Sequence, residues 1–147
     1  MEKRINAKNL EPQAYKAMFG LETYLANTDL SKTIKELIKI RVSQINSCAY
    51  CIDMHTKDAL KYGETQQRIF VLSAWREAKY LYTDEEQTVL AMAEEITLIH
   101  QNGLTDETYQ KATEFFTENQ IAQIIMAIVT INAWNRIAVS THLHIGE

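Results

Sequence analysis

The scarcity of turn-forming residues is the feature that most constrains how this sequence can fold. Its 147 residues contain one proline and four glycines, which leaves little turn chemistry for a sheet of many short strands. Clean runs of alternating apolar and polar residues are absent, and apolar residues recur instead at the spacing of amphipathic helices. The length fits one domain. The sequence therefore predicts an all-α helical bundle, a single domain spanning residues 1–147.

Start and stop signals divide the chain into seven predicted helices. Pro12 fits the first turn of one helix, and Ser31 is a typical N-cap for the next. Ser47 is the expected N-cap of the third helix, which should stop at Gly63. Thr83, with a glutamate three residues later, predicts a capping box. The predicted spans are about 12–27, 32–45, 48–62, 65–79, 84–102, 106–118 and 120–140.

The last predicted helix, QIAQIIMAIVTINAWNRIAVS, is apolar on nearly every side. Gln123 and a polar stripe of Asn132, Asn135 and Arg136 interrupt it, so its longest apolar run is far shorter than the roughly 20 residues that cross a bilayer. We therefore expect a buried helix in the bundle or at a subunit interface, and no membrane partner. Because buried polar groups need partners, the stripe predicts a hydrogen-bonded network. A wall of the active-site pocket or a contact to Glu36 is the alternative.

Charge and cysteine content limit the function classes. The net charge is −4 and no segment is rich in Lys or Arg, which argues against nucleic-acid binding. No charged segment followed by an apolar one opens the sequence, so we expect no secretory signal and a cytoplasmic location. Two cysteines are too few for a disulfide-dense secreted scaffold. In the cytosol, a close cysteine pair is more often catalytic or metal-binding than structural.

The segment NSCAYCIDMH, residues 46–55, contains both cysteines and one histidine. With Ser47 as N-cap, Cys48 and Cys51 lie in the first helical turn, where unpaired N–H groups and the helix dipole favour a thiolate. Such positions lower a thiol pKa from about 8.5 to roughly 3.5–7.5. His55 follows Cys51 by four residues, so it shares a helix face with Cys51 and is a candidate base for its proton.

Other interpretations of this segment stay open. Two buried, inert cysteines beside a surface histidine are a common outcome for an arbitrary Cys-x-x-Cys sequence. Zinc binding is available to Cys48, Cys51 and His55, but structural zinc needs four ligands and no second cysteine pair exists. Candidates for the fourth ligand are Glu36, His100, His142 and His144. Covalent haem attachment is excluded, because Ile52 rather than histidine follows the second cysteine. The spacing alone leaves thiol or redox chemistry slightly ahead.

Glu36 is the candidate partner that orients the histidine. It lies twelve residues before Cys48, about 18 Å away in one unbroken helix, so the two meet only if the chain turns just before the cysteines. Periodicity alone favours a solvated Glu36 beside Lys32 or Lys39. Arg41, near the apolar face of the same helix, should also be paired or snorkelling. Its candidate partners are Glu77 and Asp53.

Glu36, Cys48, Cys51 and His55 together form the pattern Glu-x11-Cys-x2-Cys-x3-His. This pattern resembles the motif of the AhpD-like alkyl hydroperoxidases, within the carboxymuconolactone decarboxylase superfamily. The segment ELIKIRVSQINSCAYCIDMHTKDALKYGETQQRIFVLSAWRE is similar to the core of that family, and INAWNRIAVS is similar to the final helix of its small single-domain branch. The resemblance covers about residues 30–140, most of the chain.

The resemblance implies an all-helical subunit that assembles into homo-oligomers, often trimers or hexamers. It also implies reduction of a hydroperoxide by a thiol, in which Cys51 attacks the peroxide and Cys48 resolves the sulfenic acid as a disulfide. His55 then deprotonates Cys51, and Glu36 supports His55. The implied reductant is a dithiol, such as dihydrolipoamide on a lipoyl-bearing protein, or a thioredoxin-like protein. No bound cofactor is expected beyond the redox-active disulfide.

One position departs from the well-known members of that family. They have a second histidine between the cysteines, where this chain has Tyr50. A tyrosine cannot act as an imidazole base near neutral pH, so we expect weaker peroxidase activity or a different reductant. The alternative function is an oligomeric redox sensor or stress-related thiol protein without efficient turnover. Lactone decarboxylation ranks low, since the decarboxylases of the superfamily generally lack the cysteine pair.

Overall fold

The computed structural model describes residues 2–146, and over that range the chain contains helices, turns and irregular segments with no strand. The predicted all-α fold is therefore confirmed. The α-helices are α1 (Ala7–Leu10), α2 (Pro12–Ala26), α3 (Lys32–Ile45), α4 (Ala49–Lys61), α5 (Gln66–Val71), α6 (Asp84–Thr97), α7 (Asp106–Thr113) and α8 (Glu118–Thr141). Short 3-10 segments occupy Leu72–Ala74, Lys79–Leu81 and Ile99–Gln101.

Side-chain caps fix where several helices begin. The Ser31 hydroxyl accepts a hydrogen bond from the Ile34 amide at the start of α3, as predicted. Thr83 and its glutamate form the predicted capping box of α6. Thr117 and Gln120 form a second capping box at α8, which the sequence interpretation overlooked. Each cap contributes about 1 kcal/mol, so these residues decide helix boundaries that periodicity leaves open.

Three predicted helix ends are wrong, and a short helix was missed. α5 ends at Val71 and α6 at Thr97, well before the expected residues 79 and 102. α7 ends at Thr113 because the cap of α8 follows almost at once. After α5 the backbone tightens into a 3-10 turn that leaves Trp75 only 3% exposed. Long-range packing of this kind overrides local helix propensity. The missed helix is α1, whose N-cap is Asn6.

α3 lies at the centre of the bundle and contacts α4, α6 and α8. Its two apolar sides belong to different parts of the core. Ile38 and Val42 pack in the larger cluster, which also contains both cysteines and much of α8. Leu37 and Ile40 pack in a smaller cluster with the segment around Leu72. Full burial of each such aliphatic side chain is worth about 1.5–3 kcal/mol, so α3 holds the two clusters together.

A left-handed residue reverses the chain between α3 and α4. Ser47 has φ 55°, and the Cys48 amide donates back to the Ser43 carbonyl at 2.9 Å. Ser47 is therefore not the N-cap of α4, and that prediction is wrong. Cys48 takes this place, with its Sγ accepting from the Cys51 amide at 3.4 Å. The reversal lays α4 against α3, and α4 ends before Gly63, which has φ 96° as a helix stop requires.

α8 is the one helix of the described residues that is long and apolar enough, by length and composition, to cross a membrane. It packs against α2, α3, α4, α6 and α7. Ten of its residues are buried in the bundle, including Ile124, Ile128 and Ile131. A helix at the core of a globular domain is expected to be apolar on most sides, and this packing agrees with the interpretation made from its sequence.

Candidate active site

The two cysteines lie at the N-terminus of α4 and are joined as a disulfide. Their Cα atoms are 5.4 Å apart, a separation normal for a bridge. Cys48 is 1% exposed and Cys51 is 2% exposed, so both sulfurs are covered by the core cluster of α3 and α8. The correction of the N-cap moves each cysteine one position towards the helix start. Cys48 is the cap itself and Cys51 is the third helical residue, still within the turn that favours a thiolate on reduction.

Glu36 and His55 are in direct contact. The Nδ1 of His55 lies 2.9 Å from Oε2 of Glu36, and the two residues are 5% and 6% exposed respectively. A carboxylate can only accept, so Nδ1–H donates and Nε2 is left as the basic nitrogen of the ring. The reversal at Ser47 makes this contact between α3 and α4 possible. The solvated Glu36 that periodicity alone favoured is therefore wrong, while the catalytic roles of both residues remain predictions.

The second oxygen of Glu36 belongs to a charge chain that sequence reasoning missed. Lys39 Nζ lies 3.8 Å from Glu36 Oε1 and 3.4 Å from Glu22 Oε2. The other oxygen of Glu22 accepts the indole N–H of Trp134 at 2.9 Å. These charged groups thus link α2, α3, α4 and α8 around the Glu36–His55 pair, the candidate proton relay. The spacing of Glu36 and Lys39 was visible in the sequence, but nothing in it connected Lys39 to α2.

The polar stripe of α8 forms a network inside the bundle, as the first of its two interpretations predicts. The side-chain amide of Asn46 donates to Asn132 Oδ1 at 3.0 Å and to Asn135 Oδ1 at 2.9 Å. Asn135 donates in turn to Ser43 Oγ, and Arg136 donates to the Asn132 side chain. These bonds anchor the reversal before α4 to α8. They do not extend to Glu36, so the alternative of a contact with that residue is wrong.

Tyr50 is half-buried and packs against the same core cluster as the cysteines that flank it. Burial and the neighbouring Tyr50 both raise the pKa of Tyr15 of α2. Tyr15 and Phe19 also pack against the ring of Trp134, at centroid distances of 5.4 and 5.5 Å. An aromatic cluster of α2 and α8 therefore lies beside the Cys-x-x-Cys segment.

Among residues 2–146, no group of three or more His, Cys, Asp or Glu side chains is arranged to hold a metal ion. In the disulfide form, neither cysteine offers the thiolate that zinc requires. His142 is occupied elsewhere, since its Nδ1 lies 2.8 Å from the Glu2 carbonyl oxygen. Of the sequence-predicted site residues, the fold joins Cys48 to Cys51 and brings Glu36 into contact with His55.

Comparison with known proteins finds relatives over most of the chain. The carboxymuconolactone decarboxylase family model matches residues 12–95. The uncharacterized protein YdfG of Bacillus subtilis (strain 168) is 44% identical over 140 residues, which cover 95% of each chain. The alignment extends over nearly the whole of both chains.

Solved structures share the fold. One is a protein of unknown function from Agrobacterium tumefaciens, named "Putative Antioxidant Defence Protein AhpD". It is 36% identical, with a TM-score of 0.95 over 99% of both chains. An uncharacterized peroxidase-related protein from Silicibacter sp. TM1040 is 22% identical, with a TM-score of 0.82 over 94% of this chain and 73% of that one. At that identity, the second likeness shows the fold alone.

Proposed function

The chain belongs to the carboxymuconolactone decarboxylase family, and from that premise we propose that it is a thiol-dependent peroxidase that reduces hydroperoxides through Cys48 and Cys51. The observation that carries this proposal is the geometry of α4. One helix begins with a disulfide pair and presents, one turn later, a histidine whose Nδ1 contacts a buried glutamate at 2.9 Å. A nucleophile, a base and a group that orients the base are the parts that thiol catalysis needs.

The proposed cycle starts from the dithiol. The Cys51 thiolate attacks one oxygen of the hydroperoxide, an S–O bond forms and the O–O bond breaks, and the alkoxide leaves as an alcohol after taking one proton. Cys51 is then a sulfenic acid. The Cys48 sulfur attacks Cys51, loses its proton, and displaces hydroxide, which leaves as water. The product is the disulfide form that the structure contains. A dithiol reductant must then supply two electrons and two protons to regenerate the pair.

His55 and Glu36 supply the proton chemistry in this proposal. His55 takes the proton of Cys51 on Nε2 and returns it to the leaving alkoxide. Glu36 accepts from Nδ1–H, which fixes the tautomer and stabilises the positive charge that the ring acquires. A buried imidazolium without such a partner is costly, so the short contact to a carboxylate supports the assignment.

The burial of the pair bears on the reductant. With sulfurs on residues that are 1% and 2% exposed, a slender dithiol such as a lipoyl arm reaches the disulfide more easily than a broad protein surface does. The proposed partners are therefore a hydroperoxide and a lipoyl-bearing protein, with a thioredoxin-like protein as the alternative reductant. The family likeness also supports a homo-oligomer, a trimer or hexamer, acting in the cytoplasm.

The test is peroxide consumption with a dithiol reductant. We expect Cys51→Ser to abolish turnover. Reduced Cys48→Ser, given peroxide with no reductant present, should stop after one equivalent with Cys51 as sulfenic acid. Mass spectrometry distinguishes these products, because the wild type should lose two hydrogens per chain whereas Cys48→Ser should gain one oxygen. A Cys51→Ser protein that consumes peroxide at the wild-type rate contradicts the proposal.

A redox sensor is the second candidate, and the deep burial of both cysteines is the observation that favours it. A sensor needs the same thiolate and resolving cysteine but does not need fast reduction. Steady-state kinetics separate the two functions. A sensor consumes about one equivalent of peroxide per chain and then stops even with excess dihydrolipoamide, whereas a peroxidase continues.

A further inference from the structure

We propose that Lys39 and Glu22 are positioning residues that set how tightly the His55–Glu36 pair holds its proton, and so the pH at which Cys51 becomes reactive. The inference deepens the proposed function, on which its catalytic meaning rests. It assigns a role to α2, a helix that the sequence pattern did not connect to the site. The two residues act through Glu36 rather than on the peroxide.

The geometry joins two carboxylates through one ammonium group. Lys39 Nζ lies 3.8 Å from Oε1 of Glu36 and 3.4 Å from Oε2 of Glu22. The Lys39 side chain is 12% exposed and that of Glu36 is 8% exposed, so water screens this part of the chain only weakly. Glu22, at 30% exposure, is the member of this series of charged groups that reaches solvent. The charge of Lys39 is therefore shared between the relay and α2.

Trp134 fixes Glu22, the outermost of these charged groups. Its indole N–H donates to Glu22 Oε1 at 2.9 Å, which leaves Oε2 for Lys39. The ring itself is wedged against Tyr15 and Phe19 of α2. Leu25 is the only fully buried residue of α2, so these contacts hold the helix in place. A movement of α2 would withdraw Glu22 and leave the full charge of Lys39 acting on Glu36.

Other charged groups near the relay are engaged elsewhere. Lys35 donates to the Leu25 carbonyl at 3.0 Å, and its pKa is lowered by burial, by Lys39 and by Lys32 while Glu36 opposes the shift. Lys32 Nζ lies over the Tyr62 ring at 4.6 Å. Glu64, which lines the same small cavity as Glu36, is paired with Arg68 at 2.9 Å. Lys39 is thus the lysine whose ammonium lies within 4 Å of the relay carboxylate.

The sign of the effect follows from charge alone. A positive charge favours loss of a proton from every group around it, and a negative charge opposes that loss. Lys39→Met removes a positive charge and should raise the apparent pKa of Cys51 alkylation. Glu22→Gln removes a negative charge but keeps an oxygen for Trp134, and should lower the same apparent pKa. A shift of roughly half a pH unit is expected for each, which is the size that a unit charge roughly 10 Å from a titrating group produces at an effective dielectric constant of about 40.

The experiment measures the rate of Cys51 alkylation by iodoacetamide against pH in the fully reduced protein. The variants are Lys39→Met, Glu22→Gln and Lys39→Arg, in a Cys48→Ser background so that one thiol reports. The matched control is Lys61→Met, which removes an exposed lysine paired with Asp58 on α4. We expect the apparent pKa of Cys51 alkylation to rise in Lys39→Met and to fall in Glu22→Gln. It should stay unchanged in Lys39→Arg and in the control Lys61→Met.

Opposite shifts in the first two variants support the proposal, because a merely structural role would move both in the same direction or neither. An unchanged profile in Lys39→Met, or an equal shift in Lys39→Arg, overturns it. If Lys39→Met does not fold, the downward shift in Glu22→Gln decides the question by itself. The readout is thiol reactivity rather than peroxide turnover, so opposite shifts in a protein that consumes no peroxide would refute the proposed function and leave this inference standing.

Discussion

Two carboxylates, Glu36 of α3 and Glu94 of α6, have different surroundings, and the difference separates a structural contact from a candidate catalytic one. Glu94 of α6 is saturated with donors. Its Oε1 accepts from Arg41 Nε at 2.9 Å and from the Trp75 indole at 2.8 Å, and its Oε2 accepts from Arg76 at 2.6 Å. Glu36 has one short contact, to His55, and one loose contact, to Lys39. Both oxygens of Glu94 therefore accept short hydrogen bonds, whereas Oε1 of Glu36 has only the 3.8 Å contact with Lys39.

The pKa of Glu94 reflects this saturation. Burial raises the pKa, but the hydrogen bonds from Trp75 and Arg76 and the charge of Arg41 outweigh burial, and the pKa of Glu94 is lowered overall. A carboxylate that is ionised at neutral pH and fully hydrogen-bonded suits a structural joint between α3, α6 and the 3-10 turn after α5. It does not suit a relay, because a relay must respond to a proton on its partner.

The largest expected effect is a loss of stability at the structural joint. Glu94→Gln leaves the guanidinium of Arg41, which is 16% exposed, without its counter-charge. We expect the free energy of unfolding to fall by about 3 kcal/mol, in the lower range for a broken buried ion pair because Arg76 remains solvated. Urea unfolding at pH 7 measures this loss. Glu114→Gln, at an exposed ion pair with Lys111, is the matched control and should change stability by less than about 1 kcal/mol.

Equal urea midpoints for Glu94→Gln and its control would show that Glu94 is not a structural joint. A change in the pH profile of Cys51 alkylation in Glu94→Gln would also count against the comparison, since the two carboxylates would then not be independent.

The second effect is a loss of reactivity at the other carboxylate. Glu36→Gln keeps the shape of the side chain but removes the charge that orients and stabilises His55. We expect the rate of Cys51 oxidation by hydroperoxide to fall by about 10–100-fold, the usual cost of losing an orienting partner. Stability should change less than in Glu94→Gln. Rapid quenching of the reduced protein, followed by mass spectrometry of the sulfenic acid or disulfide, measures the rate.

If Glu36→Gln oxidises as fast as the wild type but unfolds as easily as Glu94→Gln, Glu36 is a second structural joint. The contrast between the two sites then fails.

The third effect is a pH dependence of stability at the structural joint. Because the pKa of Glu94 is lowered by folding, its contribution to stability is complete above the ordinary glutamate value of 4.5 and is lost as pH falls through the folded value. The difference in unfolding free energy between wild type and Glu94→Gln should therefore narrow between pH 5 and pH 3. Urea midpoints across that range test this prediction, and a difference that stays constant in acid refutes it.

The comparison also shows what the sequence could predict. Helix existence and the caps at Ser31 and Thr83 followed from local patterns, because capping and amphipathicity act within a few residues. The contact of Glu36 with His55 followed from the family pattern together with the break before the cysteines. No sequence pattern indicated the partner of Arg41, and its two candidate partners, Glu77 and Asp53, were wrong. The acid that it contacts, Glu94, is 53 residues away.

Long-range partners were missed for one physical reason. The residues that meet across two helices depend on how the helices pack, and period and spacing within one helix do not report that. The same reason hid the link from Lys39 to Glu22, 17 residues earlier on α2. The N-cap of α4 was missed by one residue, because the left-handed conformation of Ser47 has no sequence signal comparable to a glycine.

The smallest expected effect concerns that turn, because a left-handed backbone lies directly before the disulfide and not at the structural joint. Among the described residues other than glycine, positive φ occurs at Ser47 and His142 alone. A left-handed conformation costs roughly 1–2 kcal/mol for a residue with a Cβ, and glycine adds about 0.5–1 kcal/mol of chain entropy to the cost of folding. Ser47→Gly should therefore stabilise the protein by about 0.5 kcal/mol. Ser47→Ala keeps the strain, so it should give no gain in the same urea titration. A Ser47→Gly protein less stable than Ser47→Ala would show that the turn is unstrained. Backbone strain would then not distinguish the turn before the disulfide from the joint at Glu94.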